Sequence, residues 1–154
     1  MPQQSAVHHT FAIERSFPVT PDRVFSAFSD PARKRLWFAE GGGRDVDEFE
    51  MDFRVGGKEL ALMRFKEAPM QGILFTNTGT YLDIVPDRRL VAGSSMAMGD
   101  MRISVSLTTF EFLPTESGTD LLFTHQGVFF EGSDGPERRE GGWQKLLERL
   151  SLHI

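Results

Sequence analysis

The sequence ends with REGGWQKLLERLSLHI, residues 139–154, and this stretch decides the fold. Its large apolar residues recur at the three- and four-residue spacing of one helix face: Trp143, Leu146, Leu147, Leu150 and Ile154. The pattern predicts a long amphipathic C-terminal helix that packs on a core. Gly141 and Gly142 fall in its first turns, where each glycine costs about 1 kcal/mol relative to alanine.

The position of Gly142 allows three interpretations. Gly142 precedes Leu146 by four residues and therefore shares the apolar face of the helix. Its missing side chain leaves room either for a ligand or for the protein's own sheet. In the third interpretation the helix begins at Trp143, and both glycines belong to the preceding loop.

Two helix starts follow a first predicted strand at residues 8–17, in which Phe11, Ile13 and Phe17 share one face. Thr20-Pro21 and Asp30-Pro31 each place an N-cap residue before a proline at the first helical position. We expect the first helix to bury Val24, Phe25 and Phe28, and the second to bury Leu36 and Trp37.

Six further strands are predicted between residues 46 and 129. Their apolar segments are separated by short turns rich in glycine, proline or aspartate, such as RVGG and PDR. Connections this short require antiparallel neighbours. The order β-α-α-β6-α predicts one α+β domain over residues 1–154, with a curved antiparallel sheet of about seven strands around the terminal helix. We expect residues 1–8 to be flexible.

Composition narrows the class of function. A net charge of -5 argues against nucleic acids and anionic membranes as partners, and the run Arg33-Lys34-Arg35 fits a solvated helix face. The absence of cysteine excludes disulfides, thiolate nucleophiles and cysteine-ligated metals. No segment reaches the roughly 20 apolar residues that cross a bilayer, and the N-terminus lacks an apolar signal core. We therefore expect a cytoplasmic protein without membrane insertion.

Several segments together resemble a known family. Asp52, Arg54, Gly56 and Gly57 form a D-x-R-x-G-G motif, and the terminal helix contains G-W-x-x-L-L. With TPDRVFSAFSDPARKRLWF, GTYLDIVPDRRLV and GTDLLFTHQGV, they resemble bacterial relatives of the C-terminal domain of the activator of the ninety-kilodalton heat-shock chaperone's ATPase. That family belongs to the START-like, or SRPBCC, superfamily. The resemblance implies a helix-grip fold, with a cavity between sheet and terminal helix.

The cavity implied by this resemblance predicts a site for an apolar or amphipathic small molecule. Each apolar candidate is, taken alone, more typical of core packing, so the prediction depends on the group. The candidate ligand-binding residues are Trp37, Glu59, Met63, Phe75, Met96, Met98, His125, Phe129, Gly142, Trp143 and Leu146.

The orientation of Glu59 is ambiguous. Alignment with the family places Glu59, Ala61 and Met63 on the concave face of the sheet, whereas hydrophobicity favours Leu60 and Leu62 there. In the first register a carboxylate enters an apolar cavity, where burial raises its pKa and makes it an acid or base candidate. In the second register Glu59 is a solvated strand residue.

His125 is a second titratable candidate. It shares strand parity with Leu121 and Phe123, so we expect it to face the cavity near its mouth. An imidazole there can orient a ligand or move a proton near neutral pH. The alternative is a histidine that hydrogen-bonds to backbone at the end of a strand.

Motifs of common catalytic chemistry are missing. GSSMA departs from the nucleophile elbow G-x-S-x-G at its last position, and RVGGKE lacks the spacing of a phosphate-binding loop. No histidine has partners at metal-ligand spacing, so we expect neither a metal nor a cofactor.

Three functional hypotheses remain. The first is binding of a small apolar ligand, and the second is a module that acts on a chaperone partner through its surface. The third is a cyclase-like or hydrolytic enzyme that uses His125 and Glu59, which the missing motifs disfavour. A homodimer is a further partner to test.

Overall fold

The computed structural model describes residues 5–154 and contains one antiparallel sheet of seven strands. The first half of the chain forms β1 (Val7–Phe17), α1 (Pro21–Ser29), α2 (Pro31–Lys34), a π-helical turn (Arg35–Ala39), β2 (Arg44–Met51) and β3 (Lys58–Phe65). The second half forms β4 (Leu74–Val85), β5 (Arg89–Met98), β6 (Met101–Thr115), β7 (Gly118–Phe129) and α3 (Pro136–Leu152).

The strands lie in the order β1-β7-β6-β5-β4-β3-β2, so the first strand pairs with the last and β2 forms the opposite edge. The sheet curves around α3, whose Leu147 and Leu150 are completely buried against it. The predicted α+β helix-grip fold and the element order β-α-α-β6-α are confirmed.

Strand β1 begins at Val7, one residue before its predicted start; residues 1–4 lie outside the described part of the chain, and the flexibility of residues 1–8 stays a prediction. One local expectation before β2 is wrong. Leu36 is 44% exposed, whereas Trp37 is completely buried. The reason is the π-helical turn, closed by a bond from Glu40 N–H to Arg35 O, because its wider turn changes which residues face the core.

Helix α3 begins seven residues before Trp143, at Pro136, which occupies the first turn of the helix. The first turn is closed by a bond from Arg139 N–H to Gly135 O, of 3.0 Å. Gly141 and Gly142 therefore lie inside the helix, and the interpretation that they belong to a loop is wrong.

The register of β3 follows the family resemblance. Glu59 pairs with Gly79 and Ala61 with Asn77, and Ala61 and Met63 are buried on the concave face. The hydrophobicity argument for Leu60 and Leu62 fails because the segment is apolar on both faces, so alternation does not distinguish them.

The D-x-R-x-G-G motif forms the turn between β2 and β3. A Cβ at Gly57 would overlap the carbonyl oxygen of Asp52, so only glycine fits there. Gly56 N–H donates to Tyr81 O at 2.7 Å, and Tyr81 N–H donates to Gly57 O at 3.0 Å. The motif therefore fixes the position of Tyr81 in β4.

Candidate functional site

A row of small residues crosses the concave face of the sheet. Strand pairing aligns Glu59, Gly79, Ser94, Ser106 and Gly127 side by side from β3 to β7. After Glu59 no side chain in this row is larger than serine, so the row forms a depression between its larger neighbours, which the rings of His125 and Phe129 fill at the Gly127 end. We call Gly79, Ser94, Ser106 and Gly127 the transverse trough.

A cavity lies over the part of the trough nearest Glu59, and α2, the π-helical turn and α3 cover it. Its volume is about 40 Å³. Its polar lining comes mainly from Lys34, Glu59, Asn77, Tyr81, Ser94 and Thr108, and its aromatic lining from Trp37, Phe38, Phe110 and Trp143. Pockets for small ligands typically measure about 300–1,000 Å³, so the described conformation is a closed one with room for a few waters.

The polar end of the cavity is a cluster of three side chains. Lys34 Nζ donates to Glu59 Oε1 at 2.5 Å, and Tyr81 OH donates to the same oxygen at 2.6 Å. The Lys34 and Glu59 side chains are only 9% and 14% exposed. Lys34 Nζ also lies 4.7 Å from the ring centroid of Phe38, which adds a cation–π contact. This lysine, tyrosine and glutamate form the Lys34–Glu59–Tyr81 cluster.

The protonation of Tyr81 follows from its surroundings. Burial and the adjacent Glu59 carboxylate both raise the pKa of Tyr81 well above its ordinary range. The phenol therefore stays protonated at neutral pH and donates its hydrogen bond to Glu59. Glu59 Oε2 accepts no hydrogen bond from the residues of 5–154, so it is available to a donor on a ligand.

Lys34 and Tyr81 were missed as site residues. The charged run Arg33-Lys34-Arg35 predicts a solvated helix face, and for Lys34 this prediction is wrong. The π-helical turn that follows brings the Lys34 side chain over the sheet. Tyr81 is the one tyrosine of the sequence and shares the face of Glu59 once the register of β3 is known. That register was the missing information.

His125 faces the concave side, next to Gly127 at the end of the trough farthest from Glu59. It is 1% exposed, and its ring stacks on Phe11 with centroids 4.7 Å apart. Its Nδ1 has no hydrogen-bond partner among residues 5–154. Burial, with a smaller contribution from the nearby Arg139, lowers the pKa of His125 to about 4. The imidazole is therefore neutral at physiological pH.

Glu59 and His125 do not face each other. Four strand spacings, or about 19 Å along the sheet, separate β3 from β7. Glu59 is paired with Lys34, whereas His125 stacks on Phe11. The enzyme hypothesis requires Glu59 and His125 to face each other across one cavity, and in the described residues they do not.

The remaining candidates are divided between the cavity and the surrounding core. Of the predicted ligand-binding residues, Trp37, Glu59 and Trp143 line the cavity. The others lie outside this lining: Met63, Phe75, Met96, Met98, His125, Phe129, Gly142 and Leu146. Trp143 covers the cavity from α3 and contacts Phe123, with ring centroids 4.4 Å apart. The indole of Trp37 is fixed by a 2.8 Å bond to Ala27 O.

Gly142 contacts neither the sheet nor the cavity. The residue is exposed, and a Cβ at this position would have no neighbouring atom within 4 Å. The interpretation that its missing side chain admits the sheet is therefore wrong. The apolar spacing was misleading because the apolar face of α3 reaches the core only from Trp143 onward.

Gly142→Ala is expected to raise the free energy of unfolding by about 1 kcal/mol, because alanine is the better helix former and the added methyl meets open space. Thermal unfolding followed by circular dichroism measures this change. Gly57→Ala is the matched control and should strongly destabilise the fold, since its Cβ would overlap Asp52 O. A melting temperature of Gly142→Ala below that of the wild type would contradict the placement of Gly142.

Lowering the pH from 8 to 5 is expected to remove about 2 kcal/mol of stability through His125. Its pKa is about 4 in the folded state and 6.5 for an ordinary histidine. Between these values the unfolded chain binds a proton that the folded chain does not, so stability falls as pH falls. Arg139, Asp134 and His9 are the charged or titratable neighbours that act on this pKa.

Urea denaturation of wild type and His125→Phe across this pH range tests that expectation. Phenylalanine keeps a ring to stack on Phe11 but removes the titration. The pH dependence of the variant should be flatter by about 2 kcal/mol. Equal pH dependence in both proteins would show that His125 does not contribute it.

The described residues contain neither a membrane-spanning helix nor a cluster of metal ligands. Within residues 5–154, no helix has the length and apolar character needed to cross a bilayer. Nor do the described histidine and acidic side chains converge in any group of three or more that could hold a metal ion.

The curved sheet, the enclosing terminal helix and the cavity between them define a START-like helix-grip protein. The sequence profile of the Activator of Hsp90 ATPase homolog 1-like proteins matches residues 18–153, which is most of the chain. The chain therefore belongs to this family. A search of curated proteins found no match.

Solved bacterial structures share the fold. A protein from Rhizobium leguminosarum is 38% identical with a TM-score of 0.89, over 97% of this chain and 95% of that one. The Mll3558 protein from Rhizobium loti is 43% identical with a TM-score of 0.86, over 98% and 100% of the two chains. An AHSA1-like protein from Aeromonas hydrophila, at 23% identity, has a TM-score of 0.70 over 95% and 92%, which supports the fold alone.

Proposed function

We propose that the protein binds a small amphipathic molecule in the cavity over the transverse trough and acts in the cytoplasm. The family fold supports a ligand-binding or an activator-like domain. The observation that favours ligand binding is the Lys34–Glu59–Tyr81 cluster, which faces an otherwise largely aromatic lining. A ligand would place its polar group at the cluster and its apolar part against Trp143 and Phe38.

Binding requires the cavity to widen, because about 40 Å³ is too small for a ligand of ordinary size. Trp143 covers the cavity from α3 and is partly exposed. The trough also continues beyond the cavity to Ser106, and the rings of His125 and Phe129 close it at Gly127. In this proposal the ligand displaces the indole of Trp143 and occupies more of the trough.

Titration with fatty acids, polycyclic aromatics and flavonoids, followed by tryptophan fluorescence, tests the proposal. Trp37 and Trp143 both line the cavity, so a bound ligand should give a saturable change in emission. Gly79→Leu should weaken binding at least about tenfold, because the side chain occupies the trough. A Cβ at Gly79 meets only ordinary contacts, the nearest at 3.5 Å, and circular dichroism of the variant checks that the rest of the leucine leaves the fold intact.

Gly142→Leu is the matched control, since it adds the same side chain at an exposed position. Its affinity should equal that of the wild type. Equal affinities for Gly79→Leu and the wild type would place the ligand elsewhere.

A second candidate function is activator-like binding to a chaperone. It is favoured by apolar side chains on the convex face of the sheet, where Leu82, Val105 and Leu107 are 51%, 42% and 36% exposed. Calorimetric titration with the host's own Hsp90 chaperone tests this candidate, and Leu107→Lys should abolish the heat of binding. No heat with the wild type would exclude it.

A further inference from the structure

Two arginines converge at the end of the π-helical turn. Arg149 of α3 donates from Nε to Trp37 O at 3.2 Å, and Arg44 of β2 donates from Nη2 to the next carbonyl, Phe38 O, at 3.2 Å. Arg149 lies against the glycine loop before β2, where a Cβ at Gly42 would overlap its guanidinium. The loop therefore leaves room for the Arg149 guanidinium beside the start of β2.

Neither arginine has a carboxylate partner. Within residues 5–154, Arg44 and Arg149 form no ion pair. The acidic residues nearest to Arg44 in the chain are each paired with another base: Glu40 with Arg35, Asp45 with Lys66 and Asp47 with Arg64. Two positive charges are thus held together without a counter-charge.

Burial and mutual repulsion act on this pair. Burial, and secondarily the charge of Arg149, lowers the pKa of Arg44 to about 10, and burial lowers the pKa of Arg149. Both groups remain charged at neutral pH. Because like charges in a partly desolvated position repel one another, a bound anion would relieve an unfavourable interaction.

The carbonyl contacts leave donors free. A guanidinium carries five N–H donors, and Arg149 uses one of them in the contact to Trp37 O. Arg44 uses one for Phe38 O and another for Met63 Sδ. Both side chains are partly exposed, so a small solute can reach the remaining donors. Guanidinium groups suit the paired oxygens of carboxylate and phosphate.

We propose that Arg44 and Arg149, beside the loop of Gly41, Gly42 and Gly43, bind an oxyanion, the phosphate or carboxylate group of a small molecule. Neither arginine lines the cavity, although both contact carbonyls of the lining residues Trp37 and Phe38, and the proposal does not depend on the proposed function.

The test is a titration of ¹⁵N-labelled wild type with sodium phosphate and, separately, sodium acetate, at an ionic strength held constant with sodium chloride. We expect saturable shifts of the Arg44 and Arg149 Nε–H signals and of the Gly41–Gly43 amides. The stronger of the two probes identifies the group that the site prefers. Shifts that do not saturate with either probe would overturn the proposal.

Variants make the assignment specific. Arg149→Gln should weaken binding of the preferred probe about tenfold or more, because it removes a charged donor. Arg138→Gln is the matched control, since Arg138 lies exposed on the same helix and pairs with no acid in the described chain. Equal affinity of Arg149→Gln and Arg138→Gln would overturn the proposal. If Arg149→Gln does not fold, the wild-type titration decides it alone.

Discussion

Glu59→Gln is expected to lower the free energy of unfolding by about 3 kcal/mol, because it leaves the Lys34 ammonium buried without a counter-charge. The side chains of this pair are 9% and 14% exposed, so water compensates little for the lost carboxylate. The glutamine side-chain amide can still accept the hydrogen bond of Tyr81. The lost stability therefore reports the unpaired Lys34 charge alone. Chemical denaturation at pH 7 measures it.

Two controls accompany this variant. Asp47→Asn removes one charge from the Arg64–Asp47 pair, whose side chains are 43% and 38% exposed, and should change stability by less than about 1 kcal/mol. The double variant Lys34→Met, Glu59→Gln removes both charges, keeps an acceptor for the Tyr81 hydroxyl and should recover most of the lost stability. A loss in Glu59→Gln no larger than that in Asp47→Asn would contradict the buried ion pair.

Leu147→Ala is expected to lower the free energy of unfolding by about 3 kcal/mol, because it opens a cavity where α3 meets the sheet. Leu147 is 0% exposed. For a chain of this size, such a loss lowers the melting temperature by roughly 10 °C. Differential scanning calorimetry measures both quantities.

Leu152→Ala is the control on the same helix. Leu152 is 77% exposed, so its truncation should change stability by no more than about 0.5 kcal/mol. Truncation of the chain after Gly142 should abolish the cooperative transition, since it removes Trp143, Leu147 and Leu150 from the core. A cooperative transition in that truncation would contradict the role of α3.

The fold followed from the sequence because its signals are local. Apolar spacing predicted the terminal helix, proline after Thr20 and Asp30 predicted two helix starts, and short turns predicted antiparallel strands. The π-helical turn was not predicted, since the residues that form it also suit an α-helix. It exposes Leu36 and brings Lys34 over the sheet.

The candidate site was less predictable because it depends on register and on side-chain packing. Hydrophobicity alone predicts the wrong concave face for β3. The hydrogen-bond partners of Glu59 therefore could not be predicted from the sequence. The volume of the cavity depends on how indole and phenyl rings such as Trp143 and Phe38 meet across it, which no spacing in the sequence records. Arg44 and Arg149 lie far apart in the chain and meet only through the fold.

Native mass spectrometry of the protein purified from its own host tests the proposed ligand site most directly. We predict the mass of the chain plus one small molecule for the wild type and for Gly142→Leu, and the mass of the bare chain for Gly79→Leu. The bare chain in the wild type, or the same adduct retained by Gly79→Leu, would contradict ligand binding over the transverse trough.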